Sequence, residues 1–254
     1  SLPANQTVPV SNANKCMMVF LGLNGFFAQC ATNTFVGRIA HKKTMSLVCF
    51  ANVVTFLLWG LHQAKGEFVD EVAFSTAVGM PANMSYFNIA QNVALVAINY
   101  MGWVASGSAM PSKPDFSNVS EMNKFNYATV ATCLFFGVMS YFMTDTLFEM
   151  YHFDATGDGA AMNKELMQSM GMALLGNALR TEMVIQGGDK KNAYSNLRAG
   201  LFYYLLTLGM MMFQPFAASA MGMTAEENFG PRVADFVRNF GVMMWGMSIM
   251  TKHD

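Results

Sequence analysis

Apolar and polar positions alternate along this chain in blocks of about twenty. Six apolar runs, 16–37, 44–63, 86–110, 126–148, 199–222 and 233–250, are separated by short charged segments. About twenty apolar residues in a helix match the roughly 30 Å hydrocarbon thickness of a bilayer. A seventh run, "LMQSMGMALLGNAL" at 166–179, is uncharged for 14 positions. It becomes long enough to cross only when extended to Gln186, which places Arg180 and Glu182 near one end. The blocks predict an all-α, multi-pass membrane helix bundle.

The connecting charges choose between six spans and seven. "RIAHKK" (38–43) and "DKK" (189–191) are basic, and Arg198 and Lys252 add to the basic set. "KGEFVDE" (65–71) and "EEN" (226–228) are acidic. Only when 164–186 also crosses do the basic segments share one side and the acidic ones the other. The positive-inside tendency then predicts seven helices, with the N-terminus outside and the C-terminus inside. The chain reads as a polar segment, 1–14, followed by a single transmembrane domain, 15–254.

Composition agrees with this reading. The 254 residues are 53% hydrophobic and 12% charged, against about 25% charged in a typical soluble domain. The net charge of -1 gives no basic footprint for nucleic acid. The 25 Met and 22 Phe suit lipid-facing and core positions, and also suit a pocket for an apolar pigment or ligand. Cys16, Cys30, Cys49 and Cys133 all lie in apolar runs and read as buried thiols.

The last run, "RVADFVRNFGVMMWGMSIM" (232–250), carries Asp235, Arg238 and Asn239 in its first half. Its "VADFVRNFGVMMW" resembles the last helix of proteorhodopsin-like microbial rhodopsins. The preceding "FYYLLTLGMMMFQPF" places Pro215 where that family has a proline in its sixth helix. The resemblance implies a seven-helix rhodopsin-like fold. It also implies a retinal lysine one turn after Asp235, where Asn239 stands at i+4 and Arg238 at i+3. An amide nitrogen is not nucleophilic and a guanidinium stays protonated, so neither forms a Schiff base. In the third helix, Gln91 and Asn92 replace the Arg and the carboxylate counter-ion that the family carries. Met211 and Gln214 replace its aromatic pair before Pro215. These losses agree with one another, because a counter-ion is useful only beside a buried positive charge. The residues therefore argue against retinal photochemistry and proton pumping. Asp235 is left either to pair with Arg238 or to sit as a helix-start acid.

"FDATGDGAAMNKEL" (153–166) fits a twelve-position calcium loop of the EF-hand type. Asp154, Thr156 and Asp158 fall at positions 1, 3 and 5, and Gly159 at the turn. Ala160 supplies a carbonyl at position 7, and Glu165 a bidentate carboxylate at position 12. Thr at position 3, Ala161 at position 8 and the lack of a second loop depart from the type. The other reading is a solvated Gly/Asp turn between two helices. His62 and His152 lie near ends of runs, where an imidazole is either a polar tip or a haem or chlorophyll ligand.

No nucleophile–base pair, metal cluster or phosphate loop is visible. The leading expectation is a non-catalytic, lysine-less rhodopsin-like protein. It would act as a scaffold or accessory subunit in the bilayer, touching other membrane subunits or its own copies and no nucleic acid. Two alternatives stand beside it: a membrane protein that binds a non-covalent pigment or apolar ligand, and a calcium-responsive one using the 154–165 loop.

Overall fold

A computed structural model describes residues 41–70, 73–77, 81–117, 119–151, 160–220 and 229–252. Among them there are helices and no strands: α1 (Lys42–Phe68), α2 (Phe74–Ala77), α3 (Ala82–Ala105), α4 (Glu121–Phe142), α5 (Thr144–Tyr151), α6 (Ala160–Gly187), α7 (Lys190–Ala220) and α8 (Phe229–Met250). The all-α class is therefore as expected. The 16–37 run lies outside the described residues, as do Asp154, Thr156 and Asp158.

Local chemistry sets the ends of these helices. Ser120 caps α4 by accepting the Asn123 N–H at 3.2 Å, with Glu121 favoured beside the first-turn amides. Past α3 the chain turns through Gly107 at φ +107 and Ser108 at φ 53, and the Ser108 N–H returns to the Trp103 carbonyl. Gly188, at φ +74, closes α6 in the left-handed region open to glycine. Asp189 then caps α7 through the Asn192 N–H at 3.1 Å.

Two boundaries differ from those the apolar runs predict. The 126–148 run breaks into α4 and α5 at Met143, where the Thr144 hydroxyl donates to the Ser140 carbonyl at 2.7 Å. Such back-bonding competes with helix continuation. The short 166–179 run is only the middle of α6, a 28-residue helix that continues through Arg180 and Glu182.

The long helices form a layer. α3 lies on α1, α1 on α6 and α6 on α4, with α7 and α8 packed beyond α4. They alternate in direction. Asn99 meets Asn52 and Asn92 meets Gln63, so α3 runs against α1. Gly187 touches Thr44 and Gly176 touches Thr55, so α6 also runs against α1. Leu197 on α7 shares a cluster with Ile249 near the end of α8. One end of the layer therefore holds Lys42, Lys43, Lys190, Lys191 and Lys252, with Glu121, Lys124 and Asp189 among them. The other holds Glu67, Asp70, Asp145 and Glu165, with Lys65 and Lys164 beside them.

On α3, and in part on α4, polarity is inverted relative to a water-soluble bundle. α3 buries only Ser85 and Asn92 among its described side chains. It exposes Tyr86, Phe87, Val93, Ile98, Met101 and Val104. α4 turns inward Asn126, Thr129, Cys133, Gly137 and Ser140 with Met122 and Phe125, while Leu134, Phe135 and Val138 face out. Small residues bring backbones close. A Cβ at Gly171 would stand 2.8 Å from the Tyr141 nitrogen and 2.9 Å from the Gly137 carbonyl oxygen. α1 and α4 are the two described helices that are both long and apolar enough to cross a membrane. The seven-span count therefore goes beyond what length and hydropathy alone establish here.

Candidate functional site

The polar residues of α1, α3 and α6 meet in one seam. The Asn52 amide donates to Asn99 Oδ1 at 3.0 Å, and Asn52 Oδ1 accepts from Arg180 Nη1 at 3.2 Å. Arg180 Nη2 donates to Asn177 Oδ1 at 2.6 Å. Asn52 lies near the middle of α1, so this guanidinium sits far from either helix end. Asn177 is one turn before Arg180, the spacing at which two side chains on a helix share a face. Arg180 has no carboxylate partner among the described residues. Amide oxygens take that place, and a planar fork reaches two of them where an ammonium would be a single point. Sequence reasoning treated Arg180 only as an obstacle to a span. The usable signal was the presence of an amide on each of α1, α3 and α6, but their convergence depends on register between helices.

A second cluster lies at the acidic end, where α1, α4 and α6 meet. His62 Nε2 is 3.5 Å from Glu165 Oε2, and His62 Nδ1 is 3.2 Å from the Tyr141 hydroxyl. The two rings meet edge to face at 5.3 Å. Lys164 Nζ lies 3.2 Å from the Asp145 carboxylate. Glu67 accepts from the Ser75 N–H at 2.9 Å and the Ser75 hydroxyl at 2.8 Å, tying α1 to α2. Of the calcium-loop positions, Glu165 faces His62, and Ala160 is the first residue of α6. Ligation by Glu165 would require it to leave the imidazole. Among the described residues, no three His, Cys, Asp or Glu side chains converge as metal ligands would.

The positions that the rhodopsin resemblance singles out do not come together. Asn92 is buried and donates to Gln63 Oε1 on α1 at 2.8 Å, while Gln91 is exposed. Asn239 is 3% exposed on α8. Its neighbour Arg238 lies over the Phe136 ring at 4.4 Å. α3 and α8 stand on opposite sides of the layer, with α1, α6 and α4 between them. The side chains of Asp235, Met211 and Gln214 lie outside those described.

What the two clusters can do is hold helices in register and keep charge paired or solvated inside an apolar body. No protein-family model, curated protein or solved structure matches this chain.

Proposed function

We propose that the chain is a multi-pass integral membrane protein with a rhodopsin-like count of seven helices, acting as a non-catalytic scaffold or accessory subunit without retinal. The observation that carries this reading is the inverted polarity. In lipid there is no hydrophobic gain from burying Leu against Leu, so helices associate through small residues and interhelical amides. α3 is the extreme case, because polar residues hold it to α1 and its aromatic and aliphatic side chains face outward. Aromatic pairs lie at both ends of α3: Phe68 on Tyr86, and Tyr100 on Trp103. Their spacing of about 26 Å, at 1.5 Å per residue, approaches the hydrocarbon thickness at whose edges Trp and Tyr concentrate. The six long described helices alternate in direction, and the sequence offers the apolar 16–37 run as a further candidate span.

The test is purification from native membranes in mild detergent after an alkaline carbonate wash. The expected outcome is retention in the washed membrane, followed by migration in a stoichiometric assembly with other subunits or copies. A lone, partner-free species would defeat the scaffold reading. A visible absorption band with an extractable pigment would replace it with the ligand-binding one.

A further inference from the structure

At the basic end, α1 and α3 part around an open groove of about 350 Å³, lined by His41, Lys42, Met45, Cys49, Gly102 and Ala105, with Ser106 at its edge. Its lining joins Lys42 and His41 to the apolar Met45, Cys49 and Ala105. No carboxylate lines it. Lys43 is exposed next to Lys42, and no acid or side-chain cap occupies the first turn of α1. Thr44 engages His41 Nδ1 at 3.0 Å, which leaves Nε2 as the ring atom open to a ligand. Gly102 lets α3 approach Cys49 on α1 closely, since a Cβ there would stand 3.0 Å from Cys49 Sγ.

We propose that this groove holds one anionic phospholipid, with its phosphate on His41 and Lys42 and an acyl chain along Met45, Cys49, Gly102 and Ala105. The inference rests on the membrane reading above. Two features select a lipid over a free anion. Lys42 and His41 line the same groove as the apolar Met45, Cys49 and Ala105, and the groove is open rather than enclosed. Clustered Lys and Arg at the cytoplasmic ends of helices meet the leaflet that carries anionic lipid. The positive-inside tendency puts this end of the molecule on that side.

The experiment is native mass spectrometry on the delipidated full-length protein. It is mixed in turn with phosphatidylglycerol, with phosphatidylcholine of the same chains, and with inorganic phosphate. The rate of Cys49 alkylation is followed in parallel. The expected result is a 1:1 phosphatidylglycerol adduct that slows Cys49 alkylation, with phosphatidylcholine weaker and phosphate without effect. Lys42→Gln should weaken the adduct roughly fivefold, the factor expected for one cation near an anionic surface. Ala105→Phe places a ring in the groove from an exposed position and should abolish the adduct and its protection of Cys49. Size-exclusion elution checks that each variant folds, and Lys42→Gln alone decides if Ala105→Phe does not. Equal retention of both lipids, or an adduct indifferent to Lys42→Gln, overturns the site. Protection by phosphate alone overturns the lipid assignment. Release of the protein by alkaline carbonate would instead overturn the membrane reading itself.

Discussion

Arg180 is held in an apolar body by two amide oxygens, and this makes its neighbours matter more than their size suggests. Removing one partner of a charged group usually costs about 1.5–3 kcal/mol, because the charge is left under-solvated. Asn177→Leu should therefore lower the thermal midpoint in detergent clearly. The double variant Asn177→Leu/Arg180→Leu should recover much of the loss, since no orphaned charge remains. A double variant no better than Asn177→Leu alone would mean that the seam acts through shape. Glu165 allows a second test at this scale. If the 154–165 loop takes up calcium, added Ca²⁺ should raise the thermal midpoint and Glu165→Gln should abolish the rise. A rise that survives the substitution removes Glu165 from any such site and leaves it as the partner of His62.

Among the elements, α6 is the one on which the others depend. It lies between α1 and α4, and its glycines set both distances. Gly171→Leu would drive a side chain into the backbone of Tyr141 and Gly137, an overpacking cost of at least about 1–3 kcal/mol. Gly241→Ala on α8, with open space around it, should leave the thermal midpoint unchanged. Equal effects from the two would contradict the packing described. α6 is also the helix least legible from the sequence. The runs that became α1, α3 and α7 were legible because uncharged stretches of about twenty residues signal helices through hydropathy alone. α6 was not, because its uncharged stretch is short and its polar residues are buried against other helices. Hydropathy averages over a helix and does not distinguish a polar residue facing a partner from one facing water. The split at Met143 was missed for a related reason: a Thr hydroxyl competing for a carbonyl is invisible to any apolar average.

For the molecule as a whole, the loop charges foretell which helix ends lie together, while the order of the layer carries no such signal. Local loop signs are enough to predict that 38–43 and 189–191 share an end. Neighbour choice depends on small residues matching across helices, as Gly187 matches Thr44 and Gly176 matches Thr55. The resemblance to rhodopsins did not anticipate the central α1–α6 contact or the separation of Asn92 from Asn239. The charge arrangement makes a direct prediction. In a background with all four cysteines changed to Ser, Lys43→Cys and Lys190→Cys should react with a membrane-impermeant maleimide from one face only, and Asp70→Cys and Asp145→Cys from the other. Labelling of Lys43→Cys and Lys190→Cys from opposite faces would remove the alternating topology.

The polar inner face of α6 has a further consequence, for how the protein is made. On the membrane reading proposed above, Arg180 and Glu182 in the last third of α6 oppose its release from the translocon into lipid. α1 and α4 are synthesised first, and both are apolar enough to enter alone. They then present Asn52, Thr55 and Gly137, the groups that α6 packs against. On that reading the order of helices along the chain becomes an order of assembly. α6 is then a helix whose solvent is the part of the protein made before it, and a nascent chain stripped of α1 should leave it uninserted.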